Sequence, residues 1–239
     1  MCAAGTSTRM GSHAGKKEYR PLPGRVDGLT VLGAAVLAFA AIPEIQTIVI
    51  TVPVAAGAEA DEARKALPPE LLAGENGAKI HFVPGGATRQ ASVWNALSAL
   101  EKIQPPDFVL IHDGARPFVS PSLIMRIIAA VQKCRAVIPL LPLTETPKEM
   151  EMPLDAANDV AYAAAFADPV CIQRHLKRAV IGAAQTPQAF AFPEILAAHQ
   201  KALAQEFTDD AEVWAAFCGP VAAIPGEPEN RKITFPEDL

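Results

Sequence analysis

Short apolar runs rich in β-branched residues alternate along this chain with longer Ala/Leu-rich stretches. The short runs predict strands over residues 47–52, 80–83, 108–112, 136–141 and 221–224. The longer stretches predict helices over residues 30–41, 58–67, 88–102, 121–133, 193–205 and 209–217. In the third helix Val93, Leu97 and Leu100 recur at helical spacing, while Arg89, Ser92 and Asn95 fall off that stripe. Strands alternating with helices predict a three-layer α/β fold around a mostly parallel sheet. Ligands of such sheets bind outside the carboxyl ends of the strands.

One stretch breaks the alternation. Residues 144–184 carry Pro, acidic and Ala clusters without a clean period, then the basic run Arg174-His175-Leu176-Lys177-Arg178. This reads as an arm projecting from a single domain that spans residues 1–239. The chain has no internal repeat and no low-complexity tract.

Composition narrows the classes. Half of the 239 residues are apolar, yet the longest candidate membrane segment, 31–42, is too short to span a bilayer. The N-terminus lacks the pattern of a secretory signal. Cys2, Cys134, Cys171 and Cys218 lie far apart and form no C-x-x-C pair, which argues against a metal or disulfide scaffold and fits a reducing cytoplasm. A net charge of −5 argues against a general nucleic-acid surface. An acidic protein that handles an anionic substrate must concentrate its positive charge locally.

Such a concentration is visible at the start. The loop Ala3-Ala4-Gly5-Thr6-Ser7-Thr8-Arg9-Met10-Gly11 is followed by Lys16-Lys17 and Tyr19. Small residues let backbone N–H groups close around an oxyanion, and Arg9 and Lys17 add full charges to it. The pattern suggests a nucleotide-triphosphate site, with neither P-loop nor dinucleotide-fingerprint spacing. His112-Asp113-Gly114-Ala115-Arg116-Pro117 follows a predicted strand, which places Asp113 to hold a divalent cation and Arg116 to pair with a phosphate. The alternative is a turn in which Asp113 and Arg116 pair only with each other; His112 reads as a packing residue. Gly85-Gly86-Ala87-Thr88-Arg89-Gln90-Ala91-Ser92 either exposes backbone groups to a base edge or is simply a turn capped by Thr88. Thr186-Pro187-Gln188-Ala189-Phe190 reads as a turn fixed by Pro187, with Thr186 offering a hydroxyl. Asn230-Arg231-Lys232-Ile233-Thr234 puts Lys232 in a short edge-like strand, where a lone lysine is ordinarily a solvated charge. No Ser/His/Asp or Cys/His arrangement is legible, so the remaining chemistry needs charge in the right place rather than an enzyme nucleophile.

Taken in order, AAGTSTRMG with KKEY, GGATRQAS, HDGARPFVS, TPQAF, FTDDAEV and NRKITFPEDL resemble the 2-C-methyl-D-erythritol 4-phosphate cytidylyltransferase family of the non-mevalonate isoprenoid pathway. The resemblance runs from residue 3 to residue 239 and is poor only in the arm. It implies a Rossmann-like nucleotidyltransferase fold, a homodimer whose arms embrace, and Mg²⁺-assisted transfer from CTP to a polyol phosphate with release of pyrophosphate. Arg9 and Lys17 match the family's basic residues around the triphosphate. Ala3, Ala4, Gly5, Gly86 and Ser92 match cytidine-binding positions, with Arg89 beside them. Asp113 matches the acidic residue near metal and substrate, and Arg116, Thr186 and Lys232 match contacts to the substrate's phosphate or alcohol. Thr146 and Arg178 fit arm positions that reach into the neighbouring subunit's site. Ribitol 5-phosphate cytidylyltransferases share these signatures, and a non-catalytic nucleotide-binding protein is a further alternative.

The sequence departs from the family at several places. Only Met1 and Cys2 precede the AAG loop, where the family has a core strand, so a natural start further upstream is expected. The sequence stops at Pro236-Glu237-Asp238-Leu239, where the family continues into a helix. Ala87 stands where a carboxylate is common, and Glu229 where an aspartate is, which lengthens that group's reach to a metal. The span from Thr146 to Thr186 is longer than the family's arm.

Overall fold

Four helices start where a side-chain oxygen takes over an orphan backbone N–H. Thr30 caps α1 (Val31–Ala40), Thr88 caps α4 (Arg89–Ile103), Ser120 caps α5 (Pro121–Cys134) and Asp209 caps α7 (Asp210–Phe217). Each such cap is worth about 1 kcal/mol. The other helices are α2 (Ala56–Lys65), α3 (Pro69–Leu72) and α6 (Phe192–Lys201). The predicted helix over 193–205 ends earlier, at Lys201, and a single 3-10 turn over Ala202–Ala204 follows it. The computed structural model describes residues 1–5, 16–23, 28–53, 56–74, 77–151 and 170–239.

The strands are β1 (Thr47–Val52), β2 (Lys79–Pro84), β3 (Phe108–Ile111), β4 (Ala136–Pro142), β5 (Lys148–Met150), β6 (Ile172–His175), β7 (Gly182–Ala184), β8 (Gln188–Ala191) and β9 (Ala222–Pro225). β1 pairs with β2 in parallel, and β4 with β9 in parallel. β8 lies antiparallel between β3 and β4, and β7 runs antiparallel to the end of β4. Cys2 joins the two halves through parallel bridges to Thr51 on one side and Asp113 on the other. Across the molecule the order is therefore β2-β1-Cys2-β3-β8-β4-β9, with β8 and β7 opposing the rest. Leu32, Val36, Leu123 and Ile127 of α1 and α5 cover one face against Ile50 and Val137. Val93, Leu97, Ile195 and Trp214 of α4, α6 and α7 cover the other against Ile111 and Phe190. These are the three layers that the alternating pattern predicts.

Two local expectations are corrected. The TPQAF segment is not only a turn: after a cis Thr186–Pro187 peptide it becomes β8, buried at all four positions in the middle of the sheet. Burial on both faces removes the alternation that marks a strand, and four residues are too few to show a period. Lys232 does not stand in an edge strand. Residues 231–234 are irregular, held by Ile233 N–H donating to the Ala115 carbonyl at 2.8 Å.

The first residues form a stub of sheet. Thr51 N–H donates to Met1 O, Cys2 N–H to His112 O, Ala3 N–H to Thr51 O and Gly114 N–H to Cys2 O, all within 3.2 Å. Beneath that stub β1 and β3 face each other across a cavity of about 460 Å³, lined by Ile48, Val49, Leu97, Val109, Leu110 and Val131. Met1 also borders it, and its ammonium donates to Val49 O at 2.6 Å; burial lowers its pKa.

The stretch read from the sequence as an arm lies between β4 and β7. Within it β5 and β6 form an antiparallel ribbon with a Glu149–Arg174 ion pair at 2.7 Å. Among the described residues no helix is long and apolar enough to cross a membrane.

Candidate active site

Asp113 follows β3 by two residues, at the carboxyl end of the strand and beside the Cys2 stub. Its backbone N–H donates to Thr186 Oγ1 at 3.1 Å, and the same hydroxyl lies 3.0 Å from His112 Nδ1. Gly114 fits closely here, because a Cβ would lie 3.0 Å from the Cys2 carbonyl oxygen. Three cations gather on the Asp113 carboxylate. Arg89 Nε lies 3.2 Å from Oδ1, Lys232 Nζ lies 3.0 Å from Oδ2, and Arg116 Nε stands 3.7 Å from Oδ2. Burial would raise the carboxyl's pKa, but Lys232 and Arg89, helped by Arg116, outweigh burial and hold it well below the usual carboxylate range.

The simple Asp113–Arg116 turn pair is therefore only part of the arrangement. Arg116 Nη1 donates to the Asn230 carbonyl at 2.8 Å, whereas its buried Nε has no hydrogen-bond partner. Burial lowers the Arg116 pKa despite Asp113 beside it. Asn230, fully buried, ties this corner together: its amide donates to the Thr186 carbonyl at 2.8 Å. Gln185 Nε2 reaches the carbonyls of Glu227 and Asn230. His112 is buried against Phe39 with its Nε2 3.2 Å from the Arg116 carbonyl, the packing role expected of it. Burial pushes its pKa down to about 3.

A second group of residues lies across the Cys2 stub. Gly86 N–H donates to Ser92 Oγ at 3.0 Å, and Ser92 donates to the Thr88 carbonyl at 2.9 Å. Ala3 is completely buried, while Ala4 approaches Gly85 so closely that a Cβ on Gly85 would fall 2.3 Å from the Ala4 Cβ. The first loop and the start of α4 thus meet with no room for larger side chains. Gly5 accepts from Lys16 Nζ at 2.9 Å. Lys17 Nζ donates to the Ile233 carbonyl at 2.8 Å, next in sequence to Lys232, so the irregular 231–234 segment draws both lysines to one side of the site. Arg9 lies outside the described residues.

The remaining candidates sit elsewhere. Thr146 and Arg178 are exposed in the arm, where Arg178 Nη1 donates to the Thr144 carbonyl. Glu229 is exposed. Among the described residues no three His, Cys, Asp or Glu side chains are grouped to hold an ion. Among the described residues, the carboxylate at the centre of the cation cluster is that of Asp113. That fits Mg²⁺ carried by a triphosphate, which takes one or two carboxylates and fills its octahedron with water and phosphate oxygens.

Two ionisable residues, Asp210 and His199, escaped the sequence reading. Arg89, assigned to the neighbourhood of a nucleotide, also grips Asp210 at 2.8 Å, and His199 Nε2 stands 3.2 Å from the other Asp210 oxygen. Adjacent aspartates open α7. Asp209 turns out to cap the helix and accept from Gln188, while Asp210 turns inward. The doubled aspartate was the available signal; which of the pair faces the site depends on how α7 docks.

Comparison with known proteins follows this geometry. The family model described as "IspD: 2-C-methyl-D-erythritol 4-phosphate cytidylyltransferase" matches residues 1–239. A bifunctional enzyme IspD/IspF of Bradyrhizobium sp. (strain ORS 278) is 40% identical over 248 residues, covering 100% of this chain and 53% of that protein. The chain thus spans about half the length of the curated relatives it matches first. Among solved structures, 4-diphosphocytidyl-2C-methyl-D-erythritol synthase from Anaerococcus prevotii DSM 20548 superposes with a TM-score of 0.72 at 28% identity, covering 99% of this chain and 89% of that one. The 2-C-methyl-D-erythritol 4-phosphate cytidylyltransferase from Thermus thermophilus gives 0.66 at 31% identity, covering 97% and 92%. With both sides of the cation-ringed carboxylate built from the matched segments, the chain belongs to the 2-C-methyl-D-erythritol 4-phosphate cytidylyltransferase family.

Proposed function

We propose that this chain transfers the cytidylyl group of CTP to 2-C-methyl-D-erythritol 4-phosphate and releases pyrophosphate. A phosphate oxygen of the polyol attacks the α-phosphorus in line. The bond from that phosphorus to the bridging oxygen breaks, and the electron pair leaves with pyrophosphate. Two polyanions must approach for this to happen. At an effective dielectric near 20, two unit charges about 4 Å apart repel by about 4 kcal/mol, and several such pairs are present. The observation that carries the reading is the convergence of Arg89, Arg116 and Lys232 on one buried carboxylate, in a chain of net charge −5.

Within this reading the tight Ala3-Ala4-Gly5 and Gly86-Ser92 junction receives the cytidine. Arg9 and Lys17 bind the triphosphate, while Arg116, Thr186 and Lys232 orient the polyol phosphate. Mg²⁺ bound with the nucleotide at Asp113 would offset charge on the phosphates, and Glu229 is the other carboxylate assigned to it. Positioning and charge stabilisation supply the rate, as the absence of a legible nucleophile requires. The arm is assigned to pairing of two copies, with Thr146 and Arg178 presented to the neighbour's site. The deciding experiment is pyrophosphate release from CTP with methylerythritol phosphate and ribitol phosphate in parallel. Release with the first acceptor supports the assignment. Release with ribitol phosphate alone, or CTP binding without release, rejects it.

A further inference from the structure

Arg89 opens α4 with its guanidinium between two acidic side chains, Asp113 at 3.2 Å and Asp210 at 2.8 Å. The scaffold behind Asp210 is pinned independently. Gln188 of β8 donates to Asp209 at 2.8 Å and accepts from Ala211 N–H at 3.0 Å, which fixes the start of α7. Gln90, next to Arg89, donates to the carbonyls of Ala202 and Gln205 and accepts from Phe207 N–H, which locks the start of α4 to the end of α6. Between these two locks lies His199 of α6, fully enclosed, with Nε2 3.2 Å from Asp210 Oδ1. The contact is within ion-pair distance but poorly aligned, so neither ring nitrogen has an in-line hydrogen-bond partner. A purely apolar residue would suit a wall made by Phe192, Ile195, Ala198 and Val213. The Nε2 edge of the ring faces the carboxylate that aims Arg89.

We infer that His199 is a positioning residue: it steadies Asp210, which sets the direction of the Arg89 guanidinium toward the nucleotide side of the site. His199 reaches Arg89 through Asp210 alone, by its 3.2 Å approach to Oδ1 and the 2.8 Å Asp210–Arg89 ion pair, and Arg89 shares its first helical turn with Ser92, whose hydroxyl holds Gly86 N–H. Loss of the imidazole frees Asp210 to rotate, and Arg89 then divides its time between Asp113 and solvent. The cost falls on the nucleotide rather than on the second substrate, whose assigned contacts, Arg116, Thr186 and Lys232, do not touch Asp210. This inference rests on the nucleotide-binding reading above.

The test compares His199→Leu, which keeps the bulk and loses the polar edge, with His199→Gln, which restores a donor. His199→Leu is expected to raise the KM for CTP and its calorimetric Kd about tenfold, while the KM for methylerythritol phosphate moves less than about twofold. His199→Gln is expected to return the CTP values to within about threefold of wild type. An unchanged CTP Kd in His199→Leu, or equal losses for both substrates that His199→Gln does not rescue, overturns the inference. A second readout needs no substrate: the Arg89 Nε–H resonance in the ligand-free protein, assigned by its loss in Arg89→Lys. It should be sharp in wild type and His199→Gln and broadened or shifted in His199→Leu; no change there overturns the inference as well. Should wild type bind no CTP and release no pyrophosphate, the functional reading fails, and this resonance still decides the role of His199.

Discussion

Lys232 exemplifies a residue whose meaning comes entirely from its neighbours. Its ammonium is partly exposed and stands 3.0 Å from Asp113 Oδ2, and its following residue anchors Lys17. Lys17→Ala and Lys232→Ala are each expected to lower kcat on the order of a hundredfold, by loss of charge at the reacting phosphates. Steady-state pyrophosphate release checks this, and near-normal kcat in both variants would remove the proposed mechanism. Arg9→Ala belongs in the same series. His112 makes a different prediction. Its folded pKa, lowered by burial to about 3, lies below the unfolded value of about 6.5, so the unfolded chain takes up the proton first. Stability from this group is complete above about pH 6.5 and declines toward pH 3, by at most about 1.4 kcal/mol per pH unit. Urea unfolding at pH 7 and pH 5 should show the loss in wild type and a smaller one in His112→Gln. Asp113 acts in the same direction but later: its lowered pKa keeps its ion pairs intact until pH falls below the ordinary carboxylate value of about 3.9.

At the scale of elements, the nucleotide side of the site is a junction between the stub at Cys2 and the start of α4, and its tightness is testable. Gly85→Ala places a Cβ 2.3 Å from Ala4 Cβ and 3.1 Å from the Val52 carbonyl oxygen, with β1 backbone on one side. Overpacking of this kind costs about 1–3 kcal/mol. It should also displace Ala4, so CTP affinity should fall along with urea stability. Ser120→Ala is the control: it removes the α5 cap, whose oxygen accepts from Leu123 N–H at 3.0 Å, and should cost about 1 kcal/mol without changing CTP affinity. If the two variants lose CTP affinity equally, the junction has no special role in binding. Most elements were legible because they announce themselves locally. Thr30, Thr88 and Asp209 mark helix starts, and the run from Thr47 to Val52 is β-branched at every position. β8 was not legible, since its four residues begin with a glutamine and are buried on both faces. The ribbon of β5 and β6 was hidden for the opposite reason, with β6 exposed throughout and no residue of β5 fully buried.

The whole molecule raises a question that no single element does. Below Cys2, β1 and β3 both line a cavity of about 460 Å³ that Met1 borders with its buried ammonium. A void of that kind forfeits dispersion contacts, and a buried charge beside it adds a desolvation cost. A variant carrying about five apolar β-branched residues ahead of Met1, long enough at ~3.3 Å per residue to reach down the slot, should pair with both edges. It would also exchange the ammonium for an amide. The expected result is a melting temperature higher by roughly 5–10 °C, at about 2–4 °C per kcal/mol for a chain of this size. An unchanged melting temperature would show that the slot does not take a strand.

By itself the sequence determined the layered α/β plan, the caps, and which segments carry small residues and charge, because periodicity, capping and loop chemistry act over a few neighbouring residues. It also placed Asp113 and Arg116 at the end of a strand. Only the tertiary structure decided that Arg89, more than twenty positions away, and Lys232, more than a hundred, close on the Asp113 carboxylate. It alone turned Asp210 toward Arg89 and Asp209 toward Gln188 and the start of α7, and set His199 behind Asp210. Those choices depend on how α4, α6 and α7 dock against the sheet, and docking is settled by packing across the whole core, which leaves no periodic trace in the chain.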